Sequence, residues 1–383
     1  MKAESSKYTI LVPVKYPVGG IRTYIKYTFI KFDKYKYEFI LASQDCKRAE
    51  DLKEEFGDIN FKVISSSSKN DFFALAKTVL KALIFQKIDL IHSQGYTAGL
   101  ITCIINLFFQ KPHIITLHHV FRAGQLSDSF WETFPRLKRK LIELILKRAS
   151  LIQAVSEDAR INLLQNFPGL SKLGARIVAN SNGIDIDGFI KSTEIKEKIQ
   201  LPGNIFLLGF LGRFMPEKGF PYIIDIVEEL IKKHQFTEFR VVSIGTFGGF
   251  FREYKKIIEQ RELTQYFIFP GFVKNTYNAL SKIHILLIPS LGEACPLVPM
   301  EALIAGTPVI GFSCIGLREV LAGTPGILVP VKDVDGMVKE ILNIKSNFQQ
   351  MKTEFIDFIP VAKARFDVTN TAIRLEQLYK QLL

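Results

Sequence analysis

Two glutamates in the stretch "GEACPLVPMEAL", Glu293 and Glu301, stand eight residues apart across a Cys-Pro and a Val-Pro. A carboxylate pair can share general acid–base work, or it can accept hydrogen bonds from neutral hydroxyls. Cys295 between them offers a thiol, but no histidine or basic neighbour in the motif would activate it. In "LGRFMPEKGF", Arg213 and Lys218 are five apart; a guanidinium grips phosphate oxygens in a fork and an ammonium adds a point charge, although such residues also stand simply solvated on surfaces. "TLHHV" sets His118 and His119 at the end of an apolar run, where an imidazole can hydrogen-bond a ligand, shuttle a proton or be satisfied within its own loop. Gly19-Gly20 in "VPVKYPVGGIRTYIKY" either admits a ligand close to the backbone or makes a tight bend. It is not GxGxxG.

These groups need elements to hold them. The first half alternates apolar, β-rich runs with helical stretches: 8–14, 37–42, 61–65, 88–93, 113–118 and 150–155; the second half repeats the pattern at 205–212, 239–245, 267–272, 284–290 and 307–312. Continuous apolar strands separated by helices predict parallel sheets covered on both faces. In 221–233, Ile223, Ile226, Val227, Leu230 and Ile231 recur at helical spacing. The expected fold class is α/β, with two Rossmann-like, doubly wound parallel-sheet domains facing a central cleft. Residues 1–183 would form the first domain, 184–365 the second, with a C-terminal helix at about 366–383 packing back onto the first. The turn-rich segment 179–198, with Asn182-Gly183, suits the break.

The candidates then fall just past a strand or at a helix start, where ligands bind in open parallel sheets. Pro299 suits the first turn of the helix after Glu293, and Gly306 its stop. Glu301 would lie in that first turn, either as a ligand or as an acid favoured by the helix dipole. Free N–H groups of Leu297 and Val298 can bind a phosphate. Two carboxylates beside a phosphate would repel it, unless they accept hydroxyls of a sugar and a ribose while cations neutralise the phosphate.

Composition narrows the classes. The 383 residues, 48% hydrophobic and 23% charged, suit a folded two-domain chain. No cleavable leader or membrane span is expected: "AGLITCIINLFF" is about a dozen residues where a span needs about 20. Four scattered cysteines argue against a disulfide framework and a structural zinc, and a cytoplasmic protein is expected. Residues 1–200 carry 30 Lys and Arg against 20 Asp and Glu, the remainder 20 against 18. That surplus favours an anionic partner. The segment 129–150 sets Phe130, Trp131 and Phe134 beside Arg136, Lys138, Arg139, Lys140, Lys147 and Arg148; it is either an ordinary half-buried helix or one suited to the inner face of an anionic membrane. Nucleic acid is disfavoured, because no module of stacking and basic residues is readable.

"GRFMPEKGF" and "EACPLVPMEALIAGTPVI", preceded by "NGID", together resemble the retaining GT-B glycosyltransferases of family 4, over nearly the whole chain. The resemblance implies a GT-B fold and transfer of a sugar from a nucleotide-diphosphate sugar to an acceptor hydroxyl, on a glycan or lipid-linked precursor, without a metal or other cofactor. It implies that Arg213 and Lys218 hold and stabilise the leaving diphosphate, Glu293 binds donor-sugar hydroxyls and Glu301 the ribose. His118 would lie near the transferred sugar. Gly19 and Gly20 would meet donor phosphates or acceptor, and Ala294, Cys295, Leu297 and Val298 would join the donor site. The departing phosphate would take the acceptor's proton on the same face. Cys295-Pro296 departs from the Phe-Gly of many members, and His119 stands where relatives often carry Asp, leaving open which imidazole faces the donor. A catalytically silent nucleotide-sugar or membrane-binding module is the alternative of another class; a GT-B epimerase is disfavoured by the paired motifs.

Overall fold

A computed structural model describes residues 7–56, 61–65, 71–121, 135–191, 205–273 and 276–383. Phe130, Trp131 and Phe134 lie outside them. The chain divides into two compact units, one comprising residues up to Gly183 together with Val368–Leu383, the other Ile184–Asp367.

The first unit is built on strands β1 (Tyr8–Val14), β2 (Tyr37–Ser43), β3 (Phe61–Ser65), β4 (Leu90–Gln94), β5 (His113–Leu117), β6 (Leu151–Ala154) and β7 (Ile177–Ala179). All are parallel, in the order β3-β2-β1-β4-β5-β6-β7. Crossovers carry helices α1 (Gly19–Phe29), α2 (Cys46–Glu54), α3 (Asp71–Phe85), α4 (Tyr96–Phe109), α5 (Pro135–Leu146) and α6 (Glu157–Asn166). Both strand faces are apolar because both are covered: Ile10, Val12 and Val14 pack with Tyr24, Ile25 and Phe29 of α1, and Leu11 packs with Leu75 and Val79 of α3 and Ala98 and Ile101 of α4.

The second unit repeats the plan with β8 (Phe206–Leu211), β9 (Phe239–Ile244), β10 (Phe267–Gly271), β11 (Ile285–Ile288), β12 (Val309–Phe312) and β13 (Ile327–Val329), parallel in the order β10-β9-β8-β11-β12-β13. Its helices are α7 (Ile186–Lys191), α8 (Phe220–Lys232), α9 (Phe251–Gln260), α10 (Thr276–Leu280), α11 (Leu297–Ile304), α12 (Leu317–Leu321), α13 (Val334–Ser346), α14 (Phe348–Asp357) and α15 (Ile359–Phe366). The apolar stripe of α8 buries Ile223, Ile226, Val227 and Leu230 against the sheet, with Ile231 half-buried beside them. The expected parallel α/β architecture is therefore observed, with two short strands, β7 and β13, added.

The last helix, α16 (Val368–Lys380), belongs to the first unit. Its Ala372, Leu375, Leu378 and Tyr379 enter the core formed by β1, β2 and α1. Tyr379 also makes a buried polar contact, its hydroxyl 2.7 Å from His92 Nδ1, while His92 Nε2 lies 2.6 Å from Thr116 Oγ1. Burial pushes the His92 imidazole well below its ordinary range, with nearby His118 and His113 adding to the drop, so the ring is neutral.

Candidate active site

In the second unit the strand order reverses between β8 and β11, and ligands of open parallel sheets bind beyond the carboxyl ends of strands at such a switch point. The loop leaving β8 carries Arg213 and runs through a 3-10 turn at Pro216–Lys218 into α8. The loop leaving β11 carries Ser290 and Glu293. These loops meet: Lys218 Nζ lies 2.7 Å from Glu293 Oε1, and Ser290 Oγ donates to the same oxygen at 2.8 Å. Their main chains are tied by Leu291 N donating to Glu217 O at 2.9 Å. The pair is sheltered, with the Lys218 and Glu293 side chains 25% and 13% exposed, whereas Arg213 is 62% exposed and its nearest carboxylate, Glu217, lies at 3.6 Å.

Two glycines let neighbouring loops close on this contact. Gly219 follows the turn with φ +71°, and a Cβ there would fall 1.8 Å from the Pro289 carbonyl oxygen. Gly316, on the loop leaving β12 and at φ +77°, lies so close to the β11 loop that a Cβ would be 2.4 Å from Glu293 O. At both positions a side chain would push the loops apart.

Helix α11 begins at Leu297 behind an N-cap of Pro296, and Gly306, with φ +66°, follows its end. The N–H groups of Leu297 and Val298 lack intrahelical acceptors by position. Pro299 is the third helical residue, inside the first turn. Glu301, expected in that turn, is the fifth residue and lies in the second; no acid occupies the first turn. The helix starts two residues before Pro299, because proline is tolerated anywhere the N–H has no helical partner. The dipole explanation for Glu301 therefore falls away. Its Oε2 accepts from Thr276 Oγ1 at 3.0 Å, and burial pushes its carboxyl up to about 7, partly offset by that hydrogen bond. Ala294 and Cys295 are buried, and Cys295 is in no disulfide.

Gly19, Gly20 and the histidines stand in the first unit. Gly19 and Gly20 open α1, are exposed, and would meet nothing within 4 Å if given a Cβ. His118 follows β5, half-buried, with Nε2 2.8 Å from Gln94 Oε1 at the end of β4. Gln94 Nε2 donates to His92 O at 3.4 Å, which orients the amide. Nε2 of His118 thus donates and Nδ1 keeps its lone pair. Burial pushes this imidazole down to about 3, with neighbouring His119 adding to the drop, so the ring is neutral. The Tyr24 ring packs edge-on against it at 4.8 Å. His119 is exposed beside Tyr96 and Phe121.

Gln94, Ser290 and Thr276, which hold the candidates, were not singled out by the sequence. The signal for Gln94 was its place in "IHSQG", a polar run closing an apolar strand. Among the described residues, no group of three or more His, Cys, Asp or Glu side chains is arranged to hold a metal ion, and no helix is long and apolar enough to cross a membrane.

Residues 205–347 match a family model described as "Glycosyl transferases group 1", and residues 18–187 one described as "Glycosyltransferase Family 4". A D-inositol 3-phosphate glycosyltransferase of Corynebacterium urealyticum is 25% identical over 308 residues, covering 77% of this chain and 72% of its own length. A UDP-Gal:alpha-D-GlcNAc-diphosphoundecaprenol alpha-1,3-galactosyltransferase of Escherichia coli is 23% identical, covering 70% and 69%. A phosphatidyl-myo-inositol mannosyltransferase of Mycolicibacterium smegmatis is 26% identical, covering 76% and 71%. Among solved structures, Anabaena Alr3699/HepE in complex with UDP-glucose superposes with a TM-score of 0.77 at 19% identity, covering 98% of this chain and 100% of that one. Sucrose-phosphate synthase from Thermosynechococcus elongatus gives 0.78 at 17%, covering 98% and 99%.

Proposed function

The chain belongs to the group 1, family 4 glycosyltransferases, a retaining family of GT-B fold that draws sugars from nucleotide-sugar donors; from that membership we propose how its own residues divide the work. The observation that carries the reading is the Lys218–Glu293 contact beside Arg213 at the switch point of the second sheet. Cations placed there oppose the charge that grows on the diphosphate as the glycosidic bond breaks, which is where electrostatic catalysis gains most. Leu297 and Val298 offer their N–H groups to the same phosphates. Glu293, positioned by Lys218 and Ser290, accepts hydroxyls of the donor sugar. Glu301 accepts those of the ribose. Ala294 and Cys295 line the pocket between them.

Neutral His118 presents an Nδ1 lone pair to a hydroxyl of the transferred sugar, and Gly19 and Gly20 leave room for phosphate or acceptor. The departing phosphate oxygen takes the acceptor's proton on the face it leaves, so the anomeric configuration is kept. A lipid-linked or glycan-precursor acceptor is favoured by two relatives, named for a diphosphoundecaprenol-linked and a phosphatidyl-inositol acceptor.

The test is nucleotide release and sugar transfer across a panel of nucleotide-diphosphate sugars. Arg213→Ala and Lys218→Ala are expected to lower turnover about 10²–10³-fold each, the scale of losing one transition-state donor, with thermal unfolding unchanged for Arg213→Ala. Near-normal turnover in both would refute the assignment.

A further inference from the structure

We propose that the outer surface of α3, α4 and α5 docks the enzyme on an anionic phospholipid bilayer. This rests on the reading of a lipid-linked acceptor, which the docked enzyme would meet at the membrane surface. A helix lying on a sheet ordinarily buries one stripe and turns a polar one to water. Helix α3 buries Ala74, Leu75, Val79, Ala82 and Leu83. Its opposite stripe is nevertheless apolar: Phe73 and Phe85 are 65% and 72% exposed, with Leu80 and Ile84 exposed between them.

Helix α4, which lies against both α3 and α5, repeats the anomaly. Ala98, Ile101 and Cys103 face inward, while Ile104, Leu107 and Phe108 face out, Phe108 at 86%. On α5, Leu137, Leu141 and Leu144 are exposed at helical spacing. Three neighbouring helices thus turn large apolar side chains to solvent on one face of the sheet. Exposed apolar surface of this extent marks an interaction site.

Charge selects the occupant. Lys77 and Lys81 sit within the α3 stripe, and Arg136, Arg139 and Lys140 flank the leucines of α5; all are without a carboxylate partner among the described residues. The one acid of α5, Glu143, turns its Oε1 to the Gly169 N–H at 2.9 Å. A second copy of the chain seated here would bring like charges together. Phospholipid headgroups neutralise them, and the acyl boundary takes the phenylalanines and leucines. The basic residues of α1 are less suited, since Arg22 and Lys26 both pair with Glu55.

Co-flotation of the full chain with vesicles of phosphatidylcholine, alone or mixed with phosphatidylglycerol, tests the proposal. Binding is expected to the mixed vesicles only, and to weaken with salt. Phe85→Ser with Phe108→Ser, and separately Lys77→Gln with Lys81→Gln, are expected to lower binding roughly tenfold or more. Nucleotide release from a donor sugar in solution should stay unchanged in both. Absence of flotation on either vesicle overturns the proposal, as does flotation of both variants like the parent. So does a dimer of the parent that the Phe85→Ser, Phe108→Ser chain splits, for then the face pairs with itself. Loss of donor turnover with flotation intact would refute the catalytic reading and leave this one standing.

Discussion

The Glu301 carboxyl is pushed up to about 7 from an ordinary value near 4.5, chiefly by burial, against which the Thr276 hydroxyl donates a hydrogen bond that lowers it. Between those two values the folded chain holds a proton that the unfolded chain has released, so stability falls as pH rises from about 4.5 to 7 and stays lowered above that. Glu301→Gln keeps the shape and removes the charge. Its melting temperature should exceed that of the parent at pH 8 and match it near pH 4, as scanning calorimetry would show. The same variant loses a carboxylate acceptor, and its KM for the donor should rise about tenfold, the scale of one hydrogen bond to a charged group. A donor KM unmoved by the change would remove Glu301 from the donor site. None of this was visible in the residue itself. Glu301 could be read from sequence as a candidate acid, but its burial depends on Thr276 of α10 and the apolar core behind α11. The Lys218–Glu293 contact was equally hidden, because 75 residues separate the partners and only the sheet order brings their loops together.

Elements were more legible than residues where their chemistry was uniform. The run at 8–14 coincides with β1 to the residue, because a central strand covered on both faces is apolar along most of its length; 61–65 coincides with β3 although that edge strand leaves Lys62 exposed. Strands β7 and β13 escaped. Each has only three residues, at the edge of its sheet, too few for a pattern. Glu301 was expected in the first turn of α11 and lies in the second, because a proline near a helix start does not say which of the first positions it holds. The glycines at loop contacts carry a sharper expectation. Gly219→Ala should destabilise by about 3 kcal/mol or more, since left-handed strain is added to a direct clash with Pro289 O. Gly323→Ala, at a similar φ of +69° with nothing within 4 Å, should cost only about 1 kcal/mol. Urea denaturation of both variants separates strain from collision, and equal losses would show that the loop contact is soft.

At the scale of the molecule, α16 closes a unit from which 184 residues of intervening chain separate it. Tyr379 is its polar anchor. Tyr379→Phe should lower stability by about 1–3 kcal/mol, because His92 Nδ1 is left buried without a partner; an unchanged unfolding midpoint would mean that the contact contributes nothing net. Chains usually fold in the order they are made, the amino-terminal part first. Here the order of completion is inverted. The unit begun at β1 lacks Leu375, Leu378 and Tyr379 until the ribosome has decoded α16, whereas the unit from Ile184 to Asp367 has its full sequence before then. The apolar surface awaiting α16 is therefore uncovered while the second unit is being made, and a premature stop that spares every residue of the second unit still damages the first. Nascent chains stalled before α16 has been decoded are the species in which chaperone capture and proteolysis should concentrate.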